Sequence, residues 1–212
     1  MNYPITSASG YLPSTFNNAA WLIKAYVTDG TYTYNLYQDG NPIAQNISET
    51  SYNANLNDNA ANLFTVKTNY YGGETTASNA IGFAKGTASV DNLEMAANDQ
   101  MTITENSTLT VSGTLTNNDP ANLILEEGAQ LIHNTANVKA TVKKTIQPYN
   151  PDGSDGWNFI ASPVTESFEP GINNGLLTNN YDLYKFDQSQ ELEWRNIKAG
   201  SFSNIEHKTG YL

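Results

Sequence analysis

Apolar and polar residues alternate with a period of two along most of this chain, the spacing of a β-strand with one buried face. In "TYTYNLYQDG", Tyr32, Tyr34 and Leu36 share a face with Tyr37 opposite, and Asp39-Gly40 offers the positive φ values of a tight hairpin turn. Ile43 and Ile47 continue on the returning strand, and Tyr52 begins or borders a short one. In "LFTVKTNY", Phe64, Val66, Thr68 and Tyr70 alternate again before Gly72-Gly73 turns the chain. Upstream, "AWLIKAYV" at 20–27 is apolar on both faces, which suits a strand covered on both sides. No stretch shows helical periodicity over a useful length, so an all-β fold is expected.

The middle of the chain adds a longer period. Leu93, Met101 and Leu109 are evenly spaced, as are Leu115, Leu123 and Leu131, and each member of the first set precedes its counterpart by the same interval, Leu93 to Leu115. Met95, Ile103 and Val111 follow the first set two positions on, and Leu125 partly continues this in the second. Three short strands in each such interval predict about two coils of a triangular parallel β-solenoid. Antiparallel hairpins with short loops are the alternative, but they do not require a constant offset across three strands. From Val138 the apolar positions change parity (Val138, Ala140, Val142, Ile146), which predicts a strand leaving the register. "QPYNPDGSDGW" reads as a loop, and "WNFIASPV", "NNYDLYKFDQ" and "LEWRNIKAG" as three strands of a last β-module.

The stretch from "YNLYQDG" through "SETSY" and "LFTVKTNY" to "GGETTASN" resembles the later half of a fibronectin type III domain. The form is the divergent one that follows adhesin domains in gingipain-type secreted proteases and haemagglutinins. "AWLIKAYV" is similar to the closing strand of the adhesin-type jelly roll upstream in such proteins. "TLTVSGTLTN", "WNFIASPV", "YDLYKFDQ" and the final "GYL" are similar to accessory regions of surface proteins delivered by the same secretion route. The resemblance implies four segments: 1–28, the tail of an upstream sandwich; 29–86, a partial type III-like sandwich; 87–146, the solenoid-like repeats; and 147–212, the start of a truncated β-module. It also implies a location outside the cell or on its surface.

Composition narrows the function classes. The 212 residues carry 21 acidic and 10 basic side chains, a net charge of -11, so no electrostatic footprint for nucleic acid or an anionic membrane is expected. Only 15% of residues are charged while 29 are Asn, a composition that favours turns and strand edges. Cys is absent, which excludes disulfides and Cys-ligated zinc. The opening stretch "MNYPITSASGYLPSTFNN" has neither a basic n-region nor an apolar h-region, and no run is long and apolar enough for a membrane span. A secretion signal is therefore expected outside this chain, which reads as a piece of a longer protein.

Chemistry-bearing patterns are sparse. The two histidines, His133 and His207, stand in a repeat position and in "NIEHKTG", without a motif that would pair either with a nucleophile. Glu126-Glu127 fall in a turn, and Asp187, Glu191 and Glu193 surround a hairpin, which suits solvated acids better than a cleft pair. "NPDGSDG" has oxygen ligands but not the calcium-loop spacing, and "YYGGET" opens no helix that could receive phosphate. Asn46-Ile-Ser48 and Asn106-Ser-Thr108 fit the N-glycosylation pattern. Lys143-Lys144 is a basic pair suited to a solvated strand end. No catalytic residue, metal site or cofactor is expected. The expected role is a non-catalytic surface segment that spaces or presents adhesive modules, its partner a host or matrix protein. The alternative is a glycan-binding accessory module of an exported enzyme, with Tyr70, Tyr71, Trp157 and Trp194 as candidate stacking platforms.

Overall fold

The computed structural model describes residues 32–70, 73–148, 150–153, 155–171 and 181–212. "AWLIKAYV" and Tyr71 lie outside them. The fold is all-β, without an α-helix among the described residues, and its strands form several sheets. The chain divides into two compact units, Met1–Lys144 and Thr145–Leu212.

The first unit begins with a hairpin, β1 (Thr33–Gln38) and β2 (Asn41–Ile47). Asp39 and Gly40 take φ values of 52° and 77°, as a tight turn demands, and Asp39 Oδ1 accepts the Leu63 amide. Strand β3 (Ala60–Tyr70) pairs antiparallel with β1, and β4 (Gly73–Glu74) folds back on its end. Tyr34, Leu36, Phe64, Val66 and Ala54 form a small core. Asn62 lies in the same β3 row as Phe64 and is fully buried. Its Oδ1 accepts from Gln38 Nε2 and the Asn57 amide, both at 2.7 Å, and its Nδ2 donates to the carbonyls of Asn57, Ala60 and Phe83. A buried amide is tolerated because each of its polar atoms is paired.

The pairing changes character at β5 (Ile81–Lys85), antiparallel to β3 on one edge and parallel to a later strand on the other. The chain then runs through β6 (Thr87–Val90), β7 (Leu93–Glu94), β8 (Gln100–Ile103), β9 (Thr108–Val111), β10 (Leu115–Thr116), β11 (Leu123–Leu125), β12 (Gln130–Ile132) and β13 (Thr141–Val142). The residues matched by the repeat are parallel partners: Leu93 with Leu115, Met101 with Leu123, and Leu109 with Leu131. β8 and β9 belong to different sheets, so the step from Met101 to Leu109 crosses between sheets and is not a hairpin return. Leu93, Met101, Leu109, Leu115 and Leu123 are buried in one core, against which Leu131 packs.

Two features differ from the expected repeat. Parallel pairing also joins Gly82 to Met101 and Ala88 to Leu109, both closer in sequence than the leucine pairs. At the other end Leu125 pairs with Val142, so the strand leaves the common offset but stays parallel, with a shorter connection. A Cβ on Gly82 would meet Met101 Cε at 2.5 Å, so any larger residue there would have to push the Met101 side chain aside. Asparagine and glycine build the corners: Asn59 Oδ1 accepts the Thr87 amide and Asn92 Oδ1 that of Thr114. Gly86 and Gly128, both with positive φ, sit against Asn59 and Asn106. Segments 29–86 and 87–146 thus share one eight-stranded sheet, ordered β13-β11-β8-β5-β3-β1-β2 with β4 on β3.

The second unit has one antiparallel sheet of β14 (Ile160–Ala161), β15 (Tyr184–Phe186), β16 (Trp194–Asn196) and β17 (Gly210–Tyr211). Its order is β14-β17-β15-β16, so "GYL" supplies an inner strand. Leu183, Ile205 and Tyr211 form its core, with Ile160, Phe168, Ile197 and Phe202 packed around them.

Candidate functional site

Strand alternation in the second unit places Leu183 in the core and Tyr184 and Phe186 on the opposite, outer face. Phe186 pairs with Trp194 across the β15–β16 hairpin, and their rings meet edge-on at 5.2 Å. Trp157, in the segment before β14, packs on Tyr184 at 6.0 Å with a tilt of 51°. The two candidate tryptophans are therefore brought onto one face through Tyr184 and Phe186, neither of which the sequence reading singled out. Trp157, Phe186 and Trp194 are 54%, 46% and 45% exposed, unusual for rings that could have filled a core. Beside the row Asn196 Nδ2 donates to Asp182 Oδ1 at 3.1 Å, which with Lys198 holds the Asp182 carboxyl below its usual pKa. Tyr70 is in the first unit, exposed at the end of β3.

A second constellation lies on the outer face of the β1–β3 sheet. Glu74 Oε1 accepts from Asn35 Nδ2 at 2.6 Å and from Tyr37 Oη at 2.8 Å, while Oε2 pairs with Lys67 Nζ at 2.9 Å. These donors, Asn35 foremost and then Lys67 and Tyr37, hold the Glu74 carboxyl at a pKa of about 2. Lys67 is raised by the same carboxylate and also sits over the Tyr37 ring at 4.9 Å. An amine, an amide and a carboxylate in contact could in principle cross-link, but the charged ammonium has no lone pair for attack. The cluster works as an ion-paired clamp that fastens β4 to β1 and β3.

Other sequence candidates stand apart. His133 follows β12, and its Nδ1 is buried without a hydrogen-bond partner, so nothing orients the ring from that side. His207 is exposed on an isolated bridge to Ser162, whose hydroxyl donates to the Val164 carbonyl. Lys143 and Lys144 pair with Glu126 and Glu127, tying β13 to the turn after β11. Asp187 accepts from Ser189 within the β15–β16 turn, which lowers its pKa. Among the described residues no three His, Asp or Glu side chains gather as a metal site, and no helix is long and apolar enough to cross a membrane. A small pocket over the first core, of about 30 Å³ and lined in part by Tyr34, Glu49 and Tyr52, has room for about one water molecule. Comparison with protein families, curated proteins and solved structures found no match to this chain.

Proposed function

We propose that this chain is a non-catalytic, extracellular segment of a larger surface protein, in which a fibronectin type III-like meander caps a short β-solenoid and a further β-module follows. The observation that carries the reading is the in-register parallel pairing of Leu93 with Leu115, Met101 with Leu123 and Leu109 with Leu131, joined through β5 to the antiparallel meander. A body of this kind extends by adding turns, each resting only on its neighbours, which suits spacing or presenting other modules to a host or matrix protein. The meander supplies the finished edge that such a stack needs at one end. Support for a non-catalytic role comes from the dispersal of the reactive groups: Ser162 bonds its own turn, the His133 ring lacks a partner at Nδ1, and Glu74 is held by three donors.

The exposed aromatic face of the second unit favours a second reading, a glycan-binding accessory module. Purified chain assayed against fluorogenic peptide and glycoside panels, and for adhesion to immobilised matrix proteins, tests the first. Adhesion without turnover is expected. Turnover that copurifies with the chain and disappears in Glu191→Gln or Glu193→Gln would overturn it.

A further inference from the structure

We propose that the outer face of the β14–β17 sheet is a binding platform for a neutral oligosaccharide, an inference that rests on the second reading above. Its floor follows from the register. Lys185 lies opposite Tyr211, which sets Gly210 beside Phe186, and Ala161 pairs with Gly210 on the next strand. The cross-strand row is then Trp194, Phe186, Gly210, Ala161: two rings followed by two of the smallest residues. Among the described residues a Cβ on Gly210 would meet nothing within 4 Å, so none of them fills the space above the floor. Trp157 on Tyr184 stands along one side. Phe159, 80% exposed, immediately precedes core-packed Ile160 at the start of β14.

Size and charge choose the occupant. Four strands at about 4.8 Å spacing and at most three residues of about 3.3 Å each span only about 200 Å². A stable protein interface buries about 800 Å² on each partner, so the face is too small to hold a folded partner or a second copy by itself. A few sugar rings match it, since a flat pyranose offers an apolar face to aromatic rings and hydroxyls to the Asn196–Asp182 pair at the rim. The sign of charge excludes polyanions. From Thr145 to Leu212 there are nine acidic side chains against four basic ones. By strand alternation Lys185 and Arg195 point away from the aromatic face, and Lys198 is engaged by Asp182.

The test is titration of the whole chain with cellohexaose, mannohexaose and chitohexaose, with a heparin hexasaccharide as the anionic comparator, read by calorimetry and tryptophan fluorescence. At least one neutral hexasaccharide should bind saturably, with affinity nearly unchanged between low and high salt, and heparin should not. Trp194→Ala and Phe186→Ala should each weaken binding about tenfold or more, and Gly210→Leu should abolish it by filling an open floor without strain. Tyr70→Ala should leave it intact. Failure of every neutral hexasaccharide to bind, binding of heparin alone, or full affinity in Gly210→Leu and Trp194→Ala would overturn the proposal. Cleavage of a bound oligosaccharide would uphold the platform and refute only the non-catalytic reading; matrix adhesion without sugar binding would do the reverse.

Discussion

Leu109 is the most direct probe of the parallel stack. It is fully buried in the middle turn, with Ala88 as its in-register neighbour on one side and Leu131 on the other. Leu109→Ala removes three carbons from a site whose neighbour Ala88 is already small, so the walls have little side chain with which to collapse. Core Leu→Ala changes cost about 2.7–5.0 kcal/mol, rising with the cavity left behind. A loss of about 3.5 kcal/mol is expected here, a large part of the stability of a unit this size. Ile132→Ala, at a site 52% exposed on the adjacent strand position, should cost less than about 1 kcal/mol. Peptide-resolved hydrogen exchange with urea unfolding is the assay. Protection across β8, β9 and β11 should fall about 300-fold in Leu109→Ala wherever exchange requires global opening, while the second unit is unchanged. Equal, sub-kilocalorie effects of the two substitutions would refute the claim that the column of leucines holds the stack together.

Other outcomes follow from single contacts. Gly86→Ala would force a Cβ to 2.5 Å from Asn59 Oδ1 at a φ of +68°, and should cost about 1–3 kcal/mol in urea melts, whereas Gly153→Ala, with no described atom within 4 Å of the new Cβ, should be neutral. Asn62→Leu would strand the Asn57 amide and leave Gln38 Nε2 only its 3.4 Å bond to the Asn55 carbonyl, and should lower stability by about 1–3 kcal/mol despite its apolar side chain. Glu74 has a folded pKa of about 2 against an ordinary 4.5. Its contribution is therefore complete above pH 4.5 and lost as the pH falls towards 2; acid titration of Glu74→Gln should lack that part of the pH dependence.

Strand content, the Asp39-Gly40 hairpin and the register of the leucine pairs were legible in the sequence because each rests on local spacing. A strand with one buried face must alternate, and two turns stacked in parallel must repeat their apolar residues at one offset. Of the flanking turns, the parity change at Val138 announced that the later one leaves the common offset but not that Leu125 pairs in parallel with Val142, and shorter connections pair Gly82 with Met101 and Ala88 with Leu109 in the earlier one. With Gly82, Ala84 and Ala88 lining the earlier turn, the periodic large side chain was missing there as well. Asn62 in a core row and the clamp at Glu74 depend on partners far along the chain, such as Gln38 and Asn35, and no local pattern announces such pairings. The candidate site divides the same way. Trp157 and Trp194 could be suspected from residue type alone, but an exposed Trp and a buried one look identical in a sequence. Only the register of β15, β16 and β17 decided that Tyr184 and Phe186 join them and that Gly210, with no side chain of its own, lies beside Phe186, because cross-strand neighbours are set by pairing and not by distance along the chain.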